Sequence, residues 1–137
     1  MQYLKDLPSH FTIPIILSLI ILIIIGLKRK WFFSDRKRRW VAISLFVFST
    51  VYLIVMSLAV IDEIQLQQVL NQYDINQDSI FSINEVSEDQ QVAMNDLIND
   101  VGRNFAFITG AVAAFVLSLT SFFLGRIYEW IKRKNRT

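Results

Sequence analysis

The sequence predicts an all-α membrane protein: three transmembrane helices, with an extracytoplasmic helix-loop-helix between the second and the third. Three observations carry this expectation. Hydrophobic residues make up 53 % of the 137 and charged residues only 19 %, against about 25 % charged in an ordinary soluble domain. The apolar residues gather in three blocks that contain no charge at all, Phe11–Leu27, Val41–Ile61 and Phe105–Leu124. The charges segregate just as sharply between those blocks, so that a formal net charge of +2 conceals strongly basic and strongly acidic segments.

Residues 1–10 form a short N-terminal segment with Lys5 balancing Asp6, and His10 at its end reads as an interfacial residue. The first span, residues 11–27, has 17 uncharged residues. That is the short end of what crosses a hydrocarbon core of about 30 Å at about 1.5 Å per residue. It is read as a span and not as a cleaved leader, because no small-residue cleavage site precedes the basic run. Pro14 is expected in its first turn, where a missing N–H costs little. The hairpin at 28–40 follows, in which Lys28, Arg29, Lys30, Arg36, Lys37, Arg38 and Arg39 face a single acid, Asp35, for a net +6. The second span, 41–61, and the third, 105–124, are 21 and 20 residues long and reach across outright. The segment 62–104 between them carries nine acids and one base, Arg103, a net −8. The tail at 125–137 holds five bases against Glu129, a net +4.

Basic residues beside spans stay on the cytoplasmic side. Both basic segments are therefore expected in the cytoplasm, with the N-terminus and the acidic segment outside. Trp31, Phe32, Phe33 and Trp40 around the hairpin, and Tyr128 and Trp130 after the third span, supply the aromatic residues that favour the headgroup layer. The basic runs are read as topology signals strengthened by contacts with anionic lipids of the bilayer, not as nucleic-acid arms. A cysteine-free chain rich in Ile and Asn is compatible with a bacterial inner or plasma membrane.

Several functions are excluded by what is missing. Without cysteine there is no disulfide, thiolate metal site or cysteine nucleophile, and one histidine leaves no ordinary zinc site. No ionisable residue lies within a span, which argues against proton-coupled transport. No phosphate loop or nucleophile-and-base pair occurs, so the chain is not expected to be an enzyme. Asp89, Asp96 and Asp100 share a helix face in the acidic segment, which is read as solvated.

One segment carries chemistry. Asp74, Asn76, Asp78, Ser82 and Glu85 place side-chain oxygens at positions one, three, five, nine and twelve of a twelve-residue stretch, with Ile80 and Phe81 at seven and eight. This arrangement resembles the calcium loop of an EF-hand. The resemblance implies Ca2+ as the bound ion and a ligand at each of these positions. Asp74, Asn76, Asp78 and Ser82 would act through side chains, Ser82 by way of a water. Ile80 would offer its backbone carbonyl, and Glu85 both carboxylate oxygens. It also implies that Phe81 pairs with a neighbouring loop. Ser79 departs from the family at position six, where glycine makes a sharp turn; a residue with a Cβ at positive φ costs roughly 1 kcal/mol and weakens the site.

The flanks fit the same picture. Leu66, Val69, Leu70 and Tyr73 form an apolar stripe in an entering helix at 62–73, and Val86, Ala93, Leu97 and Val101 one in a leaving helix at 85–103. Ser82 and Glu85 read as the capping box of the leaving helix. Each helix is expected to run on into its neighbouring span. Gly102, Ala106, Gly110, Ala114 and Ser118 recur every four residues, a seam that lets helix backbones approach. It serves either association, with a second copy or another membrane protein, or packing against the chain's own spans. These expectations combine into a calcium-responsive sensor or accessory subunit. The alternatives are a self-assembling calcium-gated channel and a structural membrane protein with a vestigial loop.

Overall fold

The computed structural model describes residues 8–75, 81 and 86–135, and every element among them is helical. In chain order these are α1 (Ser9–Leu27), α2 (Arg29–Ser34), α3 (Arg36–Asn71), α4 (Glu88–Asn99), α5 (Val101–Asn104) and α6 (Ala106–Lys134). Three helical stretches are long and apolar enough to cross a membrane: α1, α3 and Glu88–Lys134, which contains α6.

The helices overrun the apolar blocks that generate them. α1 begins at Ser9, with the amides of Phe11 and Thr12 already bonded to the Pro8 carbonyl. Pro14 consequently lies inside the helix and not in its first turn, and its missing N–H leaves the His10 carbonyl without an intrahelical donor. A break at Lys28 separates α1 from α2, and Asp35, in extended conformation, starts α3. The Asp35 carboxylate accepts from the Lys37 amide at 3.3 Å and from Arg38 Nε at 3.4 Å. The Lys37 backbone bond first, and then Arg38, hold its pKa below the ordinary aspartate value. Arg38 also lies over the Trp31 ring, 4.7 Å from its centroid, which ties α2 to the start of α3.

α3 is the axis of the molecule. α1 packs along it on one side and α6 on another, while α1 and α6 barely meet. At the acidic end Phe11, Met56, Ala59 and Ala106 close together, walled by Ile15, Tyr52, Val60 and Phe107. Two hydrogen bonds cross between α3 and α6: Tyr52 Oη donates to the Phe107 carbonyl and Ser118 Oγ to the Ser44 carbonyl, both at 2.9 Å. Interhelical bonds of this kind are worth about 0.6–2 kcal/mol in a bilayer. The small residues of α6 explain why the helices come so close. A Cβ on Gly110 would stand 2.8 Å from Val55 Cγ1, and one on Gly125 would run into the Trp40 ring. Ala114 is fully buried. The seam from Ala106 to Ser118 thus lies in the interior of the chain, and Gly102 alone of its members is exposed.

Large apolar side chains elsewhere face outward, among them Ile20, Phe46, Leu58, Phe115, Val116 and Leu124. A water-soluble domain avoids so wide an apolar surface, whereas a hydrocarbon environment makes no demand to bury it.

Candidate functional site

The acidic end of the molecule is built on an extension of α3. Of its 36 residues, the last ten or so follow the apolar block and rise about 15 Å past it at about 1.5 Å per residue. No break occurs at Asp62, so the second span and the entering helix are one helix. It ends in a tightened turn, with the amides of Gln72 and Tyr73 donating to the carbonyls of Val69 and Leu70. Leu70 is buried, Leu66 and Tyr73 are half-buried, and Val69 faces out. Asp74, the first position of the loop, follows three residues after the helix ends and is half-buried, as is Phe81. Asn76, Asp78, Ser79, Ile80, Ser82 and Glu85 lie outside the described residues. Among the described residues no three of His, Asp or Glu converge as a metal cluster.

The leaving helix starts later than the sequence suggests. α4 opens at Glu88, capped by Ser87, whose hydroxyl accepts from the Gln90 amide at 3.1 Å. Glu88 and Asp89 occupy its first turn, where the helix dipole favours negative charge. Gln90 and Ala93 are buried where α4 packs on α3. Val86 and Val101, assigned to the apolar stripe by spacing, are exposed, and Leu97 is half-buried.

Nor does the leaving helix run straight into the third span. The backbone breaks at Asp100 (φ −70°, ψ 88°), forms the single turn α5, and turns again at Phe105 before α6 begins. Side chains close the first break, and at the second the Phe105 amide turns back onto the carbonyls of Arg103 and Val101. Asp100 Oδ1 accepts from the Arg103 amide at 3.0 Å. Arg103 Nη2 donates to the Leu97 carbonyl, and Asn104 Nδ2 to the Ile98 carbonyl at 2.9 Å, which satisfies carbonyls that the end of α4 leaves unpaired.

Arg103 also reaches α3. Its Nε lies 3.0 Å from Glu63 Oε2, with both side chains nearly removed from solvent. Gln67, one turn along α3, donates to Glu63 Oε1 at 2.7 Å. The joint between α4 and α6 is therefore fastened to α3 by a buried ion pair. The sequence held one clue to it: Arg103 is the sole base among nine acids in 62–104.

The face of acidic residues is split by the fold. Asp96 and Asp100, with Asn95, Asn99 and Leu66, line an open cavity of about 300 Å³ between α4 and α3, while Asp89 points to solvent. His10 is exposed beside the rings of Phe11 and Phe107, at 4.3 and 5.8 Å. No protein-family model matches the chain, no curated protein matches its sequence and no solved structure matches its fold.

Proposed function

We propose that the chain is a multi-pass membrane protein, N-terminus outside and C-terminus in the cytoplasm, whose segment 74–85 binds Ca2+ and acts as a calcium-responsive sensor or accessory subunit. The observation that carries this reading is the continuity of α3. One helix serves as the central membrane element and ends three residues before Asp74, the first ligand position of the EF-hand-like loop. On the exit side the expected second continuous helix is interrupted, so the coupling on that side has to pass through a joint. There the breaks at Asp100 and Phe105 form a joint, and the Glu63–Arg103 pair fastens that joint to α3.

Calcium would act on this frame by drawing Asn76, Asp78, Ser82 and Glu85 toward Asp74, with the Ile80 carbonyl completing the shell. In sensor EF-hands the ion opens the angle between flanking helices. With α3 held by α1 and α6, the movable partner is α4, and its motion would load the Arg103 joint. The seam favours an accessory role over a self-assembled pore, because Ala106, Gly110, Ala114 and Ser118 are spent against the chain's own helices. A partner, whether another membrane protein or a second copy, would meet the apolar faces that α1 and α6 turn outward.

Calorimetric titration of the detergent-purified chain with calcium, with magnesium as a control ion, tests the reading. We expect saturable binding in the weak range of extracellular modules, about 10⁻⁴–10⁻³ M, and its loss in Glu85→Gln. Absence of binding up to several millimolar, or full binding in Glu85→Gln, overturns it.

A further inference from the structure

The opposite, basic end of the molecule contains a cleft that the calcium reading does not use. Arg36, Arg39 and Trp40 recur at helical spacing in the first turns of α3, and Tyr128, Lys132 and Arg133 in the last turns of α6. Because α3 and α6 pack together in antiparallel fashion, the two sets meet and enclose a space of about 280 Å³. Gly125 makes this possible. Without a Cβ it admits the Trp40 ring against the α6 backbone, and Trp40 lines the cleft.

The charges around this space are unbalanced. Four cations line it against one acid, Glu129. Among the described residues, none of Arg36, Arg39, Lys132 and Arg133 has a carboxylate within 4 Å. The one acid of the hairpin, Asp35, is taken by Arg38. The indole N–H of Trp40 is buried and has no acceptor among the described residues. The chemistry complementary to this arrangement is a compact anion with several acceptor oxygens. Phosphate is the chemistry that fits, since guanidinium forks meet its oxygens in pairs and an ammonium adds a point charge. The depth agrees. Trp40 precedes the apolar block of α3 by one residue and Tyr128 follows that of α6 by four, so the cleft lies at the level of the headgroups.

We propose that the cleft between the first turns of α3 and the last turns of α6 is a binding site for a phosphate-bearing anion, held by Arg36, Arg39, Lys132 and Arg133. This goes beyond diffuse attraction of a basic segment to a charged surface, because it assigns the anion to particular residues. It rests on the three-span reading of the chain and is independent of calcium.

The test uses the full chain in detergent with EDTA present, so that failure of the calcium loop leaves the result untouched. Binding of short-chain phosphatidylglycerol is compared with that of phosphatidylcholine, and inorganic phosphate is titrated alone and as competitor. Arg39→Gln/Arg133→Gln is compared with Lys28→Gln/Arg29→Gln, which removes equal charge from the hairpin outside the cleft. All four side chains are exposed, so neither variant threatens folding. We expect phosphatidylglycerol to be preferred, and the cleft variant to weaken it about tenfold, within the range for loss of two solvent-exposed ion contacts, with little change in the hairpin variant. Phosphatidylglycerol binding that phosphate fails to displace assigns the site to a lipid headgroup. Phosphate binding by itself, lost in the cleft variant, assigns it to a soluble phosphate. Equal losses in the two variants, or no preference for either anion over phosphatidylcholine, overturn the proposal.

Discussion

Gly26, Gly110 and Gly125 occupy apolar or flanking positions that look alike in the sequence, yet their surroundings differ completely. A Cβ on Gly26 meets nothing within 4 Å, whereas on Gly125 it runs into the fused part of the Trp40 ring system. Those atoms belong to a rigid fused ring that moves only as a whole, so the indole must leave or α6 must move away from α3. Overpacking of this sort costs about 1–3 kcal/mol. Replacing an unhindered helical glycine by alanine instead gains about 0.5–1 kcal/mol by reducing backbone freedom in the unfolded chain. We therefore expect Gly125→Ala to lower resistance to unfolding in SDS and to shift tryptophan emission, while Gly26→Ala leaves emission unchanged and resistance equal or higher. Wild-type emission and stability in Gly125→Ala would show that Trp40 does not sit on α6. The small-residue seam was legible from its four-residue spacing, but Gly125 was not, because it falls outside the apolar block and its partner is 85 positions earlier in the chain.

Among the elements, the single turn α5 has the largest consequence for its length. It converts what apolar patterning reads as one leaving helix into α4, a joint and α6. Two residues set it: Asp100, whose carboxylate caps the turn, and Arg103, which caps the end of α4 and pairs with Glu63 on α3. Removing one partner of a buried ion pair costs about 3–5 kcal/mol because the other charge is left without compensation, while replacing both groups is often close to neutral. Arg103→Met should therefore destabilise the protein by that amount in SDS unfolding, and Glu63→Gln/Arg103→Met should recover most of the loss. Additive losses in the double variant would mean that the two residues act separately. The sequence showed both charges but not their partnership, since residues 40 apart have no periodic relation. The break itself was written locally, as aspartate prefers caps to helix interiors. It was hidden by the apolar residues on either side, whose spacing continues through it. At the start of α4 the pattern pointed to Ser82 with Glu85, whereas the observed helix starts from Ser87, whose hydroxyl accepts from the Gln90 amide.

At the scale of the molecule, the organising quantity is charge separation along the axis of α3. The spans were legible because charge-free runs of 17, 21 and 20 residues have no other economical explanation, and the fold returns three helices of sufficient length and hydropathy. What one-dimensional pattern did not give is how the ends are used. α3 carries its first turns into the basic cleft and its last turns into the acidic joint, so that a single rigid helix connects the two. The preference of basic flanks for the cytoplasm predicts which end faces it, with +6 and +4 at one end against −8 at the other. The absence of cysteine makes this directly measurable. Single cysteines at Lys30, Gln91 and Asn135, all exposed, each give the chain one reactive thiol. In intact cells or right-side-out vesicles, a membrane-impermeant maleimide should label Gln91→Cys only, and Lys30→Cys and Asn135→Cys only after permeabilisation. The reverse pattern would put the proposed calcium loop in the cytoplasm, where resting calcium is far below the dissociation constant expected of it, and the sensor reading would fail with the topology. Labelling of all three from one side would remove the three-span arrangement itself, and with it the headgroup depth on which the phosphate cleft depends.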